Sequence, residues 1–347
     1  MSTQRMLVLG AGGIGGVIAG RLSGHFDDVT VADQWPEHVE AMRSGGLVVN
    51  DREGSAAGPV RAIHLHELQA EADRFDLVFL SVKTYDTEWA AQFARRHVRD
   101  DGAVVVCQNG ITDSRVAAIV GAERTVGCVV TLAGAAMEPG VVTRNDAYSV
   151  GFRVGELDGP VRERTTMIAD RLNTVAVTEV TGNLDGERWA KLATNCMVNA
   201  LSGITGYSAG EVRSRDDTLA VLVHLGAETI QVGRALGHRV EPVMGIDPGR
   251  FVDAARGVGR DQLLDEIRIV AKATGTHKAS MLQDVIKGRR TEIEDLNGHV
   301  VRSGATVDVA TPFSQAAVEA VLAFPPGEVV ADPRNLERLV RMAEERA

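Results

Sequence analysis

Short apolar runs alternate with segments of helical spacing along the first half of the chain. After an apolar run that ends at Leu9, strands are predicted over the following ranges: 29–32, 76–82, 103–107, 126–130 and 140–154. Helical spacing of apolar residues appears between them, at 86–99 and 113–119. Because strands that alternate with helices are typical of a parallel α/β sheet, we predict such a sheet for this half.

The second half of the chain has a different pattern. Apolar residues recur at helical spacing, with few β-branched runs, over 187–201, 218–236, 262–273, 280–287 and 291–302. At 347 residues the chain exceeds the usual size of a single core, so two domains are expected. The predicted fold class is α/β, with a doubly wound sheet domain over 1–181 followed by an all-helical domain over 182–347.

A glycine-rich loop follows the first apolar run. Gly10, Gly12 and Gly15 have the spacing Gly-x-Gly-x-x-Gly between a strand-like run and a helix-permissive stretch. In that context the first glycine turns the chain, the second lets the backbone approach a pyrophosphate, and the third allows close helix–strand packing. The alternative is an ordinary flexible turn. We expect a Rossmann-type dinucleotide-binding domain with these cofactor-binding residues: Gly10, Ala11, Gly12, Gly13, Ile14 and Gly15.

Asp33 ends the second predicted strand. A carboxylate at that position accepts hydrogen bonds from the adenosine ribose and repels a 2′-phosphate. No Arg or Lys lies between Asp33 and Arg43 to bind such a phosphate. The structural alternative makes Asp33 a residue that precedes the helix beginning near Pro36, and both roles can hold together. NAD is therefore the expected cofactor, with NADP less favoured.

Composition narrows the class of protein. The formal net charge is −10, which disfavours nucleic acid or an acidic membrane as a partner. Cys107, Cys128 and Cys196 form no CxxC pair, and neither a signal-like start nor a membrane-length apolar run is present. We expect a soluble cytoplasmic protein. No metal is expected, because no further ligand cluster accompanies His64 and His66.

Two predicted strands end in polar residues. Lys83 follows the strand at 76–82, and Asn109 follows the strand at 103–107. The carboxyl ends of parallel strands are where α/β sheets bind ligands. Turn chemistry is the alternative, because Asn109 and Gly110 form a favourable turn pair and Lys83 can be solvated where its strand stops. Both interpretations stay open at this point.

The helix predicted at 187–201 carries a polar stripe. Lys191, Asn195 and Asn199 recur every four residues, which places them on one face of the helix. Such a stripe usually faces water. Asn is a mediocre helix former, however, and the rest of this helix is largely apolar, which favours a buried stripe directed at a polar ligand.

Two later segments admit structural and functional interpretations. Ser280 and Gln283 have the spacing of a capping box, as do Thr291 and Glu294. Glu292 could be a first-turn carboxylate that complements a helix dipole. The residues alone leave these interpretations undecided.

Taken together, these segments resemble the ketopantoate reductase (2-dehydropantoate 2-reductase) family over nearly the whole chain. After the glycine-rich loop, the family motifs occur in order at 82–84 (VKT), 108–110 (QNG), 191–199 (KLATNCMVN), 280–284 (SMLQD) and 288–294 (GRRTEIE). The resemblance implies an NAD(P)-dependent reductase of a 2-oxo acid. It also implies a small-molecule 2-oxo acid as partner and a homodimer as the candidate assembly.

The resemblance further implies a role for each candidate residue. Lys191 would be the general acid that protonates the ketone oxygen as hydride arrives from the nicotinamide, and Glu292 would help to orient lysine and substrate. The remaining roles are substrate binding by Asn109, Asn195, Asn199 and Ser280, and cofactor binding by Lys83 and Asn109. A positioned ammonium suits this chemistry because it stabilises the negative oxygen that develops on the ketone.

Two features depart from the family pattern. Family members commonly carry an arginine after the second strand that favours NADPH, whereas this chain has Asp33 and Gln34 there. The stretch 240–275 looks longer than the family norm, and its Val243, Met244 and Ile246 suggest an apolar or branched substrate tail. Two alternatives follow: an NAD-dependent 2-hydroxy acid dehydrogenase acting on a different branched or bulky substrate, and a non-catalytic NAD-binding sensor.

Overall fold

The computed structural model describes residues 4–52, 54–145, 149–274 and 277–346. The chain divides into two compact units, Met1–Leu184 and Asp185–Ala347. The strands of the first unit are β1 (Met6–Leu9), β2 (Val29–Asp33), β3 (Leu47–Asp51), β4 (Gly54–Gly58), β5 (Arg61–His64), β6 (Phe75–Leu80), β7 (Val98–Val106), β8 (Thr125–Val130), β9 (Gly134–Glu138), β10 (Val141–Arg144), β11 (Phe152–Glu156) and β12 (Thr178–Val180).

The helices of the first unit are α1 (Gly13–Ser23), α2 (Pro36–Gly45), α3 (Thr87–His97), α4 (Asp113–Val120) and α5 (Glu163–Asn173). The second unit contains α6 (Leu184–Thr205), which begins at the last residue of the first unit, and then α7 (Ala209–Val212), α8 (Asp216–Ala235), α9 (Pro248–Ala255), α10 (Arg260–Thr274), α11 (Ser280–Ile286), α12 (Asn297–Thr306), α13 (Pro312–Leu322) and α14 (Arg334–Glu344). None of the helices in the described ranges combines the length and the apolar character needed to cross a bilayer.

The main sheet has the strand order β12-β11-β8-β7-β6-β1-β2-β5. Strands β5 to β8 run parallel to β1 and β2, whereas β11 pairs antiparallel with β8. The chain leaves β1 toward β2 on one side and returns to β6 on the other. A ligand crevice in an open α/β sheet forms at such a reversal of strand order, outside the carboxyl ends of the strands.

Both faces of this sheet are buried, which explains its nearly continuous apolar strands. In β1, Met6 and Val8 belong to the core on the face that α1 and α5 cover. Leu7 and Leu9 belong to a second core, on the face that α3 and α4 cover. Together with the helical second unit, this arrangement confirms the predicted fold class.

A second sheet, with the order β4-β3-β10-β9, packs against α1. Its close approach depends on two glycines of that helix. A Cβ on Gly16 would overlap the side chain of Val142, and a Cβ on Gly20 would lie 2.5 Å from Cγ2 of Val49. No strand is predicted from the sequence at 47–58, because this part of the chain contains no long apolar run.

In the second unit, α8 packs closely against α6 at two glycines. A Cβ on Gly226 would lie 2.6 Å from Sδ of Met197, and a Cβ on Gly233 would lie 2.9 Å from Cδ2 of Trp189. The two helices therefore pack with little space between their axes. Within its described residues, the second unit contains no β-pairing beyond a single bridge between Val243 and Ile246.

The stretch at 240–274 forms a tight turn followed by α9 and α10. Val243 and Ile246 exchange main-chain hydrogen bonds of 2.9 and 3.0 Å across Met244 and Gly245, which both have positive φ. That pair of φ angles is typical of a two-residue hairpin turn. The side chains of Val243 and Ile246 are buried, so both contribute to the packing of this unit.

The helix predicted at 291–302 begins later than expected, at Asn297. The carbonyl of Glu292 accepts hydrogen bonds from the amides of Asp295 and Leu296, and the carbonyl of Ile293 accepts one from Gly298. The last of these bonds spans five residues, wider than the four of an α-helix. A bend and turns therefore occupy 292–296, and the regular ladder starts after them.

Candidate active site

The glycine-rich loop joins β1 to α1 at the carboxyl end of β1. Gly10 has a φ of +93°, and a Cβ there would lie 3.0 Å from the main-chain nitrogen of Val82. A Cβ on Gly15 would overlap the carbonyl oxygen of Gly10 and lie 2.9 Å from Cβ of Ser81. Glycine is thus required at both positions, which lets α1 start directly against the sheet.

Gly12 is the open part of this loop. Apart from its chain neighbours, no heavy atom of the described residues lies within 4 Å of where its Cβ would stand. Gly12 precedes α1 and caps it without a side chain. Because the first N–H groups of a helix have no partner within the helix, this end can bind an anion. An uncrowded backbone beside a helix N-terminus fits the pyrophosphate of a dinucleotide.

Asp33 lies beside the loop, at the end of β2. One carboxylate oxygen accepts the amide of Ala11 at 2.6 Å, and the other accepts the amide of Trp35 at 2.8 Å. The side chain therefore orders the glycine-rich loop and the turn before α2 together. Each carboxylate oxygen has a second lone pair, so the group retains acceptor capacity for a ribose hydroxyl.

His38 is a residue that the sequence analysis missed. Its ring is buried in α2, where Nδ1 accepts the amide of Gly140 at 2.8 Å and Nε2 lies 3.0 Å from the carbonyl oxygen of Ala11. Because Nδ1 accepts, Nε2 carries the proton and donates to Ala11. The partners lie 27 and 102 positions away along the chain, so no local pattern indicated this role.

Gln108 connects the ends of two neighbouring strands. Its buried amide nitrogen donates to the carbonyls of Val82 and Lys83, at 3.1 and 3.3 Å, and to the hydroxyl of Thr87 at 3.0 Å. Lys83 and the adjacent Asn109 are therefore held at the carboxyl ends of β6 and β7, and both are half-buried. Lys83 and Asn109 are candidates from the sequence, whereas the role of Gln108 as the residue that connects their strand ends follows from the structure alone.

The polar stripe lies on α6 of the second unit. Asn195 and Asn199 are only 5% and 7% exposed, and Lys191 is half-buried on the same face. Burial of two asparagines in a long helix has a cost unless their amides are hydrogen-bonded. The stripe is therefore a mainly buried polar face and not a solvated one.

Ser280 begins α11, which packs against α6. A Cβ on Gly203 of α6 would lie 2.7 Å from Cγ of Met281, so the first turn of α11 contacts α6 one turn beyond Asn199. The capping-box interpretation of Ser280 is wrong. The residue that precedes the helix is Ala279, and Gln283 donates to the carbonyl of Lys278 instead.

Glu292 is the third element of the second unit's candidate site, and it is only 4% exposed. The turns that follow it lead to Asn297, whose side-chain amide donates to the carbonyl of Cys196 on α6 at 3.5 Å. The capping box proposed for Thr291 and Glu294 does not form, because α12 begins later and Glu294 pairs with Arg290. The start of α11 and the segment that follows Glu292 thus both contact α6, through Met281 and Asn297.

Behind the stripe, α8 contributes a buried carboxylate that the sequence analysis also missed. Glu228 accepts the amides of Phe313 and Ser314, at 2.7 and 2.8 Å, and so caps the start of α13. Burial raises the pKa of Glu228 to about 7. Burial also raises the pKa of the Cys196 thiol above its usual range, which keeps that thiol protonated and unreactive. Among the described residues, no group of His, Cys, Asp and Glu side chains is arranged to hold a metal ion.

Comparison with known proteins identifies the family. Residues 6–159 match the family described as "Ketopantoate reductase PanE/ApbA", and residues 183–324 match "Ketopantoate reductase PanE/ApbA C terminal". The chain is similar to a 2-dehydropantoate 2-reductase of Archaeoglobus fulgidus, with 30% identity over 88% of this chain and 92% of that relative.

Solved structures share the fold. A D-mandelate dehydrogenase, in a ternary structure with NADH and anilino(oxo)acetate, matches with a TM-score of 0.77 and 19% identity over 99% of both chains. A PanE/ApbA family ketopantoate reductase from Ralstonia eutropha JMP134 matches with a TM-score of 0.72 and 22% identity, again over 99% of both chains. The resemblance inferred from the motifs is thereby confirmed: this chain belongs to the ketopantoate reductase family and is an oxidoreductase that acts on CH–OH groups.

Proposed function

We propose that this protein is an NAD-linked reductase that converts a 2-oxo acid to a 2-hydroxy acid. The observation that carries the proposal is the buried polar face of α6, where Lys191 stands in line with Asn195 and Asn199. One cation beside neutral amide donors suits a ketone next to a carboxylate, since both present oxygens that accept hydrogen bonds.

In this proposal Lys191 is the general acid. A bound nicotinamide supplies the hydride. The ammonium of Lys191 donates a hydrogen bond to the ketone oxygen and transfers its proton as the alcohol forms. Glu292 orients the ammonium, while Ser280, Asn195 and Asn199 bind the substrate. Membership of the family, the alignment of Lys191 with Asn195 and Asn199 on α6, and the burial of both asparagines and Glu292 support the assignment.

The first unit is proposed to bind the cofactor as NAD. Asp33 stands beside the glycine-rich loop, where its negative charge opposes a 2′-phosphate. The nearest downstream cation, Arg43, donates to the carbonyl of Ala62 and pairs with Glu40 and Glu67. Lys83 and Asn109 are proposed to contact the cofactor at the strand ends, and Asn109 to contact the substrate as well.

Two finer features are part of the same proposal. The substrate is a branched or bulky 2-oxo acid, with ketopantoate as one candidate; the D-mandelate dehydrogenase of the same fold binds anilino(oxo)acetate, a 2-oxo acid derivative with a bulky tail. The assembly is a homodimer, which sedimentation velocity measures directly. A monomer at micromolar concentration would contradict this part of the proposal.

A substrate panel tests the function. The oxidation of NADH is followed at 340 nm with branched, aromatic and dicarboxylic 2-oxo acids, with their esters and with plain ketones. We expect turnover of branched or aromatic 2-oxo acids and poor turnover of dicarboxylates, because no second cation stands in the stripe. Comparable turnover of uncharged ketones would overturn the carboxylate requirement, and binding of NADH without turnover of any member would favour the sensor.

A further inference from the structure

His38 stands next to the glycine-rich loop, but it lies too deep to reach a ligand. Its ring is 1% exposed and stacks on Trp35, with 5.2 Å between ring centroids. It bridges two main-chain groups, donating from Nε2 to Ala11 and accepting at Nδ1 from Gly140. A histidine that uses both nitrogens on main-chain groups is held in one tautomer and one orientation.

The bond to Ala11 orients the peptide that links Ala11 to Gly12. In a trans peptide the carbonyl and the N–H of the same plane point in opposite directions. Because His38 holds the Ala11 carbonyl on its own side, the Gly12 amide points away from His38. The amide of Ala11 is already held by Asp33, at 2.6 Å. The two side chains together therefore leave this part of the loop little rotational freedom.

The bond to Gly140 connects the same point to the second sheet. Gly140 lies in the turn between β9 and β10, and its φ of +74° favours glycine there. The β9 strand also touches the loop directly, since a Cβ on Gly13 would overlap the main chain of Gly134. The second sheet thus contacts the loop at two places, directly at Gly13 and through His38 at Ala11.

We propose that His38 is a positioning residue for the dinucleotide: it fixes the Ala11–Gly12 peptide so that the Gly12 amide is aimed at the cofactor pyrophosphate. This inference rests on the proposed function as an NAD-linked enzyme. It assigns to the second sheet a purpose, which is to hold the loop in its binding geometry before the cofactor arrives. Pre-organisation of this kind raises the affinity, because a loop that is already ordered loses little conformational entropy when the cofactor binds.

The test uses His38→Asn, because Asn separates the two hydrogen bonds. The Oδ1 atom of Asn can replace Nδ1 as acceptor for Gly140, but Asn is too short to reach the carbonyl of Ala11. We expect the Kd of the variant for NADH to rise about fivefold to 100-fold, the effect of losing one buried hydrogen bond. The Kd for ADP-ribose, which keeps the pyrophosphate and lacks the nicotinamide, is expected to rise by the same factor.

Three further measurements separate positioning from general support of the fold. With saturating NADH, kcat and the KM for the 2-oxo acid are expected to stay within twofold of the wild type. His38→Gln restores a donor that reaches Ala11, and is expected to recover most of the affinity. His25→Asn is the matched control, because exposed His25 also bonds a main-chain carbonyl, that of Arg21 at 3.0 Å.

Each outcome has a distinct meaning. A wild-type protein that fails to bind NADH contradicts the proposed function itself. Wild-type binding together with an unchanged Kd in His38→Asn overturns only the role of His38. Should His38→Asn fail to fold, His38→Gln is compared with His25→Asn instead, and weak NADH binding by folded His38→Gln would equally overturn a role that depends on the donor to Ala11.

Discussion

The two units of this protein present their candidate binding groups in different ways. In the first unit the loop at 10–15 offers main-chain amides and space, and glycine is present because a Cβ would collide or would fill that space. In the second unit the candidate groups are side chains on α6, together with Glu292 and Ser280 from segments whose neighbouring residues Asn297 and Met281 contact α6. Binding by main-chain amides requires closely spaced glycines, which form a recognisable sequence motif. Side chains that bind a ligand can instead come from segments far apart in the sequence.

This difference predicts that the loss of one side chain in the second unit lowers kcat more than the loss of one side chain in the first unit. Lys191→Ala is expected to lower kcat about 10²- to 10⁴-fold, the usual contribution of a general acid, while the Kd for NADH stays near the wild-type value. Steady-state kinetics and fluorescence titration measure the two quantities. Lys272→Ala, an exposed lysine on α10, is the control and should be unchanged. A near-normal kcat in Lys191→Ala would move the acid to another residue.

Glu156, a buried carboxylate of the first unit, is expected to affect the stability of the protein and not its catalytic rate. The side chain of Glu156, on β11, is fully buried and bonds Arg162 and Arg164 at 2.9 Å and the Thr165 hydroxyl at 2.6 Å. Burial opposes ionisation of this carboxyl, but the hydrogen bonds outweigh that effect and lower its pKa.

Removing this charge is expected to destabilise the first unit. We expect Glu156→Gln to lower the free energy of unfolding by about 2 to 3 kcal/mol, because a neutral amide loses the charge-assisted bonds to Arg162 and Arg164, although Arg162 keeps Asp158 as a second partner. Urea denaturation measures the change. Glu179→Gln is the control, since its partner Arg153 and the glutamate itself are both partly exposed, and it should cost at most about 1 kcal/mol. Equal effects of the two variants would contradict this account.

The two kinds of recognition also differ in how far the sequence alone predicts them. The spacing of Gly10, Gly12 and Gly15 predicted the loop, in which Gly10 and Gly15 have no room for a Cβ and Gly12 leaves open space. The stripe on α6 was visible as a period of four residues, and its burial followed from the apolar remainder of the helix. Both signals lie within one element of the chain.

Contacts between distant segments were not predictable in the same way. His38 meets Gly140 across 102 positions, and Glu228 meets Ser314 across 86. Local capping rules also gave a wrong interpretation at Thr291, because a turn with a five-residue hydrogen bond replaced the expected helix start. Local spacing identifies what a segment can form, while the partner that it meets depends on tertiary packing.

The buried carboxylate of Glu228 predicts how the stability of the second unit depends on pH. Burial raises its pKa to about 7 from an ordinary value of 4.5, and the bonds from Phe313 and Ser314 offset only part of that effect. The folded state therefore binds the proton more tightly than the unfolded state does. The contribution to stability is fully present below about pH 4.5 and is lost as the pH rises through about 7, by about 3 kcal/mol in all.

The measurement is the free energy of unfolding between pH 4.5 and pH 8. Glu228→Gln cannot titrate, so its profile should lack this decline, whatever its stability at one pH. Glu337→Gln, an exposed carboxylate at the start of α14, should keep the wild-type profile. Parallel profiles for wild type and Glu228→Gln would show that the buried carboxylate is already ionised in the folded protein.

The smallest expected effect concerns Asp33, to which the proposed function assigns the choice between NADH and NADPH. Because Asp33 would repel a 2′-phosphate and Arg43 is engaged by Glu40 and Glu67, the wild type should use NADH better than NADPH. One lost ribose contact with added repulsion corresponds to about 1 to 3 kcal/mol, or about tenfold to 150-fold in kcat/KM.

Asp33→Asn keeps an oxygen for the amide of Ala11 and removes the charge, so the ratio of NADH to NADPH efficiency should fall toward one. Gln34→Ala is the control for a change at the neighbouring position. Equal use of both cofactors by the wild type would mean that main-chain recognition alone sets the choice, and that the side chain of Asp33 serves only to order the loop.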